Sequence, residues 1–337
     1  MKFSYGGQAL IEGVMMCGRE HIAMAVRKGD GTISCEIEKR KSISDRFKFL
    51  KWPFVRGTVN LVESLVLGFK ALTYSANESA ESEEEELSAG EMAFSVVLAL
   101  VLGIGLFFLL PAGLAHFTKA YVTSSFMQNL LEGAIRVAIF IGYIVAISKM
   151  SEIARVFQYH GAEHKTIHAY EAGVELIPAN CRQFPTLHPR CGTSFLMFVF
   201  IIAFALHFLL GWPTLWLRIV TRLLLLPVIA GLSYELLKWA GKSDNIVVKI
   251  LSLPGLYLQK ITTKEPDDSQ LEVAIAAIHA VCDEKPCGTY TICKEDVGHY
   301  DGHELIESAK EDGDDDRTEK PQGIFVKYRP LQKRRFL

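Results

Sequence analysis

The sequence predicts a membrane α-helical bundle of about four transmembrane helices, joined to a small cytoplasmic α+β portion that includes an N-terminal β-hairpin. Three observations predict it. The 337 residues are 50% hydrophobic and only 22% charged, with a mean hydropathy of +0.20. Two long runs contain no Asp, Glu, Lys or Arg: 27 residues from Met92 to Thr118 and 26 from Gly192 to Leu217. Each exceeds the ~20 residues that a helix needs to cross a bilayer core. Short alternating segments near the N-terminus read as strands instead.

Two weaker segments join the long runs. Val137–Ser148 is free of charged residues for 12 positions, with an apolar pattern reaching back to Leu130 across Arg136; Leu223–Tyr234 is free for another 12, bounded by Arg222 and Glu235. The basic residues decide between two spans and four. Twelve Lys and Arg precede the first span and five lie in residues 149–190, but the 119–135 connector holds only Lys119. Four spans, placed in 92–148 and 192–238, put the N-terminus, the central loop and the C-terminus together on the basic, cytoplasmic side. The opening MKFSYGGQALIEG has neither a basic n-region nor a long apolar h-region, so no secretory leader is expected. Formal net charge is −2 and the seven cysteines show no framework spacing. Specific nucleic-acid recognition and a disulfide-stapled domain are therefore not expected.

Residues 1–50 form the hairpin region. His21–Val26 and Ile33–Glu38 alternate around Gly29-Asp30-Gly31, which predicts a hairpin with Ile22, Met24, Val26, Ile33, Cys35 and Ile37 on one face. Gly6-Gly7-Gln8 and Gly13 suggest a tight turn and a further short strand. Residues 51–76 read as a membrane-proximal helix, in which Glu63 either faces water, the favoured reading, or pairs with Arg56, and the Glu-rich 77–91 reads as a solvated linker. Residues 239–281 end in an amphipathic helix from Gln270, with Asp267 and Asp268 more suited to capping than to ligation. Residues 282–337, acidic and then basic, read as a disordered tail. Its Cys282, Cys287, Cys293, His299 and His303 lack the usual knuckle spacing of a zinc site.

The chemistry concentrates in the loop 149–191. On a helix, His160, Glu163, His164, His168 and Glu171 share an arc of about 140° at ~100° per residue. His160-Gly161-Ala162-Glu163-His164 matches H-x-x-E-H, in which His at i and i+4 chelate one ion and Glu at i+3 serves as general base. Glu163 is therefore the candidate catalytic residue. His160 and His164 are candidate ligands of a divalent metal, with zinc favoured, and His168, Glu171, His188 or Cys191 would complete the shell. The competing reading is a polar, hydrogen-bonded helix over the mouth of the bundle. Cys191 as a nucleophile lacks an oxyanion motif, and Thr193 and Ser194 read as helix caps. Gly161 within the helix costs it about 1 kcal/mol relative to Ala.

Several blocks in order carry a resemblance: Gly6-Gly7-Gln8-Ala9, Ile11-Glu12-Gly13-Val14-Met15-Met16, Lys51-Trp52-Pro53-Phe54 with Arg56-Gly57, Tyr159 through Lys165, Leu187 through Ser194, Pro254-Gly255-Leu256 and Thr262 through Asp268. Across about residues 3–280 the chain resembles the bacterial YqhQ-like membrane family. The resemblance implies a multi-pass protein of the bacterial inner membrane and a role for His160, Glu163, His164, His188 and Cys191, but no reaction. Two functions follow as expectations. One is a metal-dependent hydrolase at the membrane surface, acting on a peptide or a lipid-linked substrate. The other is a non-catalytic assembly or docking factor for a cytoplasmic partner such as a ribosome or translocase. An ion transporter is disfavoured because the strongest spans lack charged residues.

Overall fold

The structure is a computed structural model and describes residues 5–45, 47–80, 89–211, 214–240, 245–282, 288–292, 297–299, 324–326 and 329–330. The chain opens with four antiparallel strands, β1 (Gly6–Leu10), β2 (Gly13–Cys17), β3 (His21–Arg27) and β4 (Ile33–Lys39). The β3–β4 turn forms where the Gly-Asp-Gly signal placed it. Asp30 accepts from the Thr32 N–H at 2.8 Å, and Gly31 takes φ 84°, which glycine adopts without a Cβ penalty. The register corrects the one-face expectation. Ala23 pairs with Ile37 and Ala25 with Cys35, whereas Met24 pairs with Glu36. Directly paired residues share a face, so Ile22, Met24 and Val26 lie opposite Ile33, Cys35 and Ile37.

Both faces are covered, which is why both sets can be apolar. Helix α1 (Val55–Ser79) covers the Met15, Ile22 and Met24 face through Ala71. The helices α5 (Ser151–Ala172) and α10 (Asp268–Cys282) cover the face of Val14, Met16, Ala23, Cys35 and Ile37. Asp267 caps α10, accepting from the Gln270 N–H at 2.9 Å. The sheet continues through β5 (Gly288–Ile292), which pairs with β4 and buries Ile292. The expectation of a tail leaving the fold after Cys282 is corrected for this strand. The short strands β6 (Val297–His299) and β7 (Ile324–Val326) pair with each other, and β8 (Arg329–Pro330) pairs with β5. Cys287, Cys293, His303, residues 81–88 of the predicted 77–91 linker and the acidic run 311–316 lie outside the described residues, whereas 77–79 belong to the end of α1 and 89–91 to a following helix, which corrects the linker expectation at both ends.

Among the described residues, four helices are long and apolar enough to cross a membrane: Phe94–Ala120, Ser125–Ile147, Gly192–Leu209 and Trp216–Ala240. The first comprises α2 (Ala89–Ile104), a π-helical turn at Gly105–Leu109 and α3 (Leu110–Phe117). The others are α4 (Ser125–Ile147), α7 (Gly192–Leu209) and α8 (Leu215–Ala240). A one-turn α6 (Pro178–Cys181) follows α5, and α9 (Ile246–Thr262) precedes α10. The second and fourth segments look short in the sequence because Arg136, Arg222 and Glu235 interrupt them, but each of these finds a partner. Glu235 receives Arg56 Nε at 2.6 Å and Nη2 at 2.5 Å. Arg56 thus serves Glu235, not Glu63, which instead accepts from the Ile43 N–H at 2.6 Å and from Ser42.

Glycines set the closest helix contacts. A Cβ on Gly57 would stand 2.8 Å from Gly231 Cα, where α1 crosses α8, and one on Gly255 would stand 2.7 Å from Ser194 Cα, where α9 crosses α7. A Cβ on Gly161 of α5 would drive into the Lys264 carbonyl, whereas one on Gly142 of α4 would meet nothing within 4 Å. Gly161→Ala is therefore expected to lower stability by about 1–3 kcal/mol, although Ala is the better helix former. Gly142→Ala should be neutral or slightly stabilising. Thermal unfolding of the two variants in detergent checks this; equal midpoints would show that the 264–266 segment does not press on α5.

Candidate metal centre

Helix α5 has little apolar bias, yet Glu163, His164, Lys165 and Thr166 are all buried. Buried polar groups must find partners, and those partners fix the site. His160 donates from Nδ1 to the Thr262 carbonyl at 2.8 Å. His164 donates from Nδ1 to the Thr186 carbonyl at 2.5 Å. A carbonyl only accepts, so both rings carry a proton on Nδ1, which leaves Nε2 as the ring atom available to a ligand. His160 Nε2 stands 3.2 Å from Cys191 Sγ. Ligand atoms of His160, His164 and Cys191 all lie within 4.8 Å of one another.

Cys191 is the N-cap residue of α7, and Thr193 Oγ1 donates to its sulfur at 3.3 Å. Thr193, expected only to cap, thus touches a candidate ligand. Two imidazoles and one thiolate suit zinc, with carbonyl partners behind the rings as in known zinc sites. These three side chains could hold a metal ion.

The other predicted residues sit around this cluster. His188 is buried, with its ring centroid 5.5 Å from that of His164 and 4.6 Å from that of His168. Burial, followed by the nearby His164, His168 and Arg190, pushes the His188 ring down to about 2, so it stays neutral. His168 donates from Nε2 to the Leu187 carbonyl at 3.0 Å. Glu171 is ion-paired with Arg190. The structure therefore brings His168 and Glu171 near the cluster without directing them into it. Glu163, 5% exposed, faces β1, where its Oε1 would lie 3.1 Å from a Cβ on Gly7. The bare Gly7 lets its N–H bond this carboxylate.

Two residues that sequence reasoning missed hold the loop in place. Gln259 of α9 accepts from the His188 N–H at 2.8 Å and donates to the His188 carbonyl at 2.9 Å. Lys165 donates to the carbonyls of Arg182 and Phe184 at 2.9 and 2.6 Å and pairs with Glu265 at 3.0 Å. Lys165 stood next to the motif, but nothing local separates a loop-anchoring lysine from a solvated one. A cavity of about 390 Å³ opens beside the cluster, lined among others by Gly7, His160, Glu163, His164 and Cys191.

Burial pushes the Glu163 carboxyl up to about 7, against the opposing effects of His160 and the Gly7 N–H. The unfolded chain ionises it near the ordinary Glu value of about 4.3. Its contribution to stability is thus full below about pH 4 and is lost as the pH rises through about 7. In chelator-treated protein, Glu163→Gln is expected to raise the melting temperature at pH 8, by an amount equivalent to a few kcal/mol, and to leave it unchanged at pH 4. Scanning fluorimetry across that range checks this, and a wild type at least as stable as the variant at pH 8 would refute it.

The family described as "Protein of unknown function (DUF1385)" matches residues 52–284, which include His160, Glu163, His164, His188 and Cys191. A relative from Bacillus subtilis (strain 168), "Uncharacterized protein YqhQ", is 37% identical over 290 residues, covering 82% of this chain and 91% of the relative. No solved structure matches the chain. With the family match spanning α1 to α10 and this identity across most of both proteins, the chain belongs to the YqhQ-like DUF1385 family.

Proposed function

We propose that this protein spans the bacterial inner membrane four times and holds a zinc-type divalent metal at the cytoplasmic membrane surface, where it catalyses hydrolysis. The observation that carries the reading is the pair of Nδ1-locked imidazoles converging on Cys191. The fold supports the sidedness. Strands from 6–39 and helices α5 and α10 share one core, so the N-terminus, the central loop and the C-terminal segment lie on one side. An even number of crossings meets that requirement, and the excess of Lys and Arg in these parts makes that side cytoplasmic.

His160, His164 and Cys191 would hold the metal. When bound, it supplies Lewis acidity toward a carbonyl or phosphoryl oxygen. The chain's own groups do the rest. Glu163 borders the same cavity with a carboxyl poised near neutrality, suited to take a proton from an attacking water and return it to the leaving group. Arg190 also lines the cavity, its charge answered by Glu171. Because the cavity includes the first residues of α7, a substrate anchored in the bilayer can reach it.

Purified full-length protein is expected to carry about one zinc per chain by elemental mass spectrometry. His164→Ala and Cys191→Ser should lose it at least tenfold, and Glu163→Gln should retain it while losing hydrolytic activity toward model ester and peptide substrates. Wild type without stoichiometric metal after reconstitution would overturn the reading and favour a docking role.

A further inference from the structure

Within the spans Phe94–Ala120, Ser125–Ile147, Gly192–Leu209 and Trp216–Ala240, the described acidic residues are Glu235, which Arg56 neutralises, and Glu132 of α4. It is 1% exposed. Three guanidinium groups converge on it. Arg136 donates Nη2 to Oε1 at 2.8 Å, Arg222 of α8 bonds the same oxygen, and Arg218 Nη1 lies 3.8 Å from Oε2. Arginine stays charged under all physiological conditions. Among the described residues, Arg136 and Arg222 alone set two positive charges against the one negative charge of Glu132 in a low-dielectric interior, where an uncompensated charge is costly. Backbone carbonyls offset part of it. Arg136 Nε donates at 3.0 Å to the Phe107 carbonyl, the one that Pro111 at i+4 cannot serve.

Beside this cluster a cavity of about 630 Å³ follows the seam between α4 and α7. These helices run antiparallel, with Phe126 against Phe208 at 5.3 Å and Phe140 against Phe200 at 5.1 Å between ring centroids. One end is polar, formed by Asn129, Glu132, Arg136, His207 and Arg222; the rest is apolar, with Val137, Ile141, Met197 and Phe200. His207 is 7% exposed, and its Nε2 has no hydrogen-bond partner among the described residues.

We propose that this seam is a binding site for an anionic phospholipid. Its phosphate sits at Arg136, Arg222 and His207, and an acyl chain lies along Val137, Ile141, Met197 and Phe200. The surplus charge selects a lipid with net negative charge over a zwitterionic one bearing the same phosphate, and arginine matches phosphate oxygens in pairs. The assignment rests on the membrane-spanning reading but not on the metal.

Native mass spectrometry of delipidated full-length protein, titrated with phosphatidylglycerol, phosphatidylcholine or inorganic phosphate, tests it. One phosphatidylglycerol per chain is expected, bound at least tenfold more tightly than phosphatidylcholine and not displaced by millimolar inorganic phosphate. Arg222→Gln should weaken it about tenfold. Because that change also disturbs Glu132, Ile141→Trp, which fills the apolar seam and leaves the charges intact, should weaken it likewise. Equal binding of the two lipids, displacement by inorganic phosphate, or undiminished binding in Ile141→Trp would overturn the proposal. Release of the protein from native membranes by alkaline carbonate would instead overturn the spanning reading on which it stands.

Discussion

A helix that is buried while carrying polar side chains must have every one of them satisfied, and α5 imposes that requirement on the rest of the molecule. Its His160, Glu163, His164, Lys165 and His168 cannot reach bulk water freely, so each recruits a backbone group from elsewhere. The 182–187 loop supplies carbonyls to Lys165, His164 and His168, the end of α9 supplies one to His160, and β1 supplies an N–H to Glu163. A loop that might have adopted many conformations is thereby pinned to one. The convergence of three candidate ligands follows from satisfying burial, with Cys191 carried in at the point where the pinned loop becomes α7.

Close backbone approach makes this satisfaction possible. Gly161 lets the Lys264 carbonyl lie against α5, and Lys264 N–H donates to the Phe157 carbonyl at 2.9 Å, which brings Thr262 within reach of His160. Gly255 lets α9 meet α7 closely enough for Gln259 to clasp His188 from both its N–H and its carbonyl. Gly7 does the same for Glu163. At these positions the missing side chain is what the site uses; the helix propensity lost at Gly161 is offset by the contact it allows.

The apolar helices obey the same rule in a drier setting. Arg136, Arg218 and Arg222 gather around Glu132, and Arg136 also serves the carbonyl stranded ahead of Pro111. The π-helical turn at Gly105–Leu109 and the proline are thus tied to the second apolar helix through one guanidinium. Polar groups in the α5 cluster and in the α4–α8 cluster are each organised by the cost of leaving a buried polar atom unmatched.

By itself the sequence determined the properties that depend on composition and local period. These are four apolar segments, the hairpin at Gly29-Asp30-Gly31, the amphipathic α10 with its Asp267 cap, and the i, i+4 spacing that puts His160 and His164 on one face of a helix. Each follows from bilayer thickness, turn chemistry or helical geometry, which neighbouring residues fix. Tertiary structure decided what depends on distant partners. Whether Arg56 answers Glu63 or Glu235, and whether Glu171 faces the cluster or Arg190, turns on which chain segments pack together. The two-sided burial of the sheet is of the same kind, since an alternating strand looks alike whether one face or both are covered and only the register with its neighbour assigns the faces. Cys191, 31 residues beyond His160, joins the cluster because the loop between them has its carbonyls claimed by buried side chains of α5, a long-range demand that no local pattern in the sequence records.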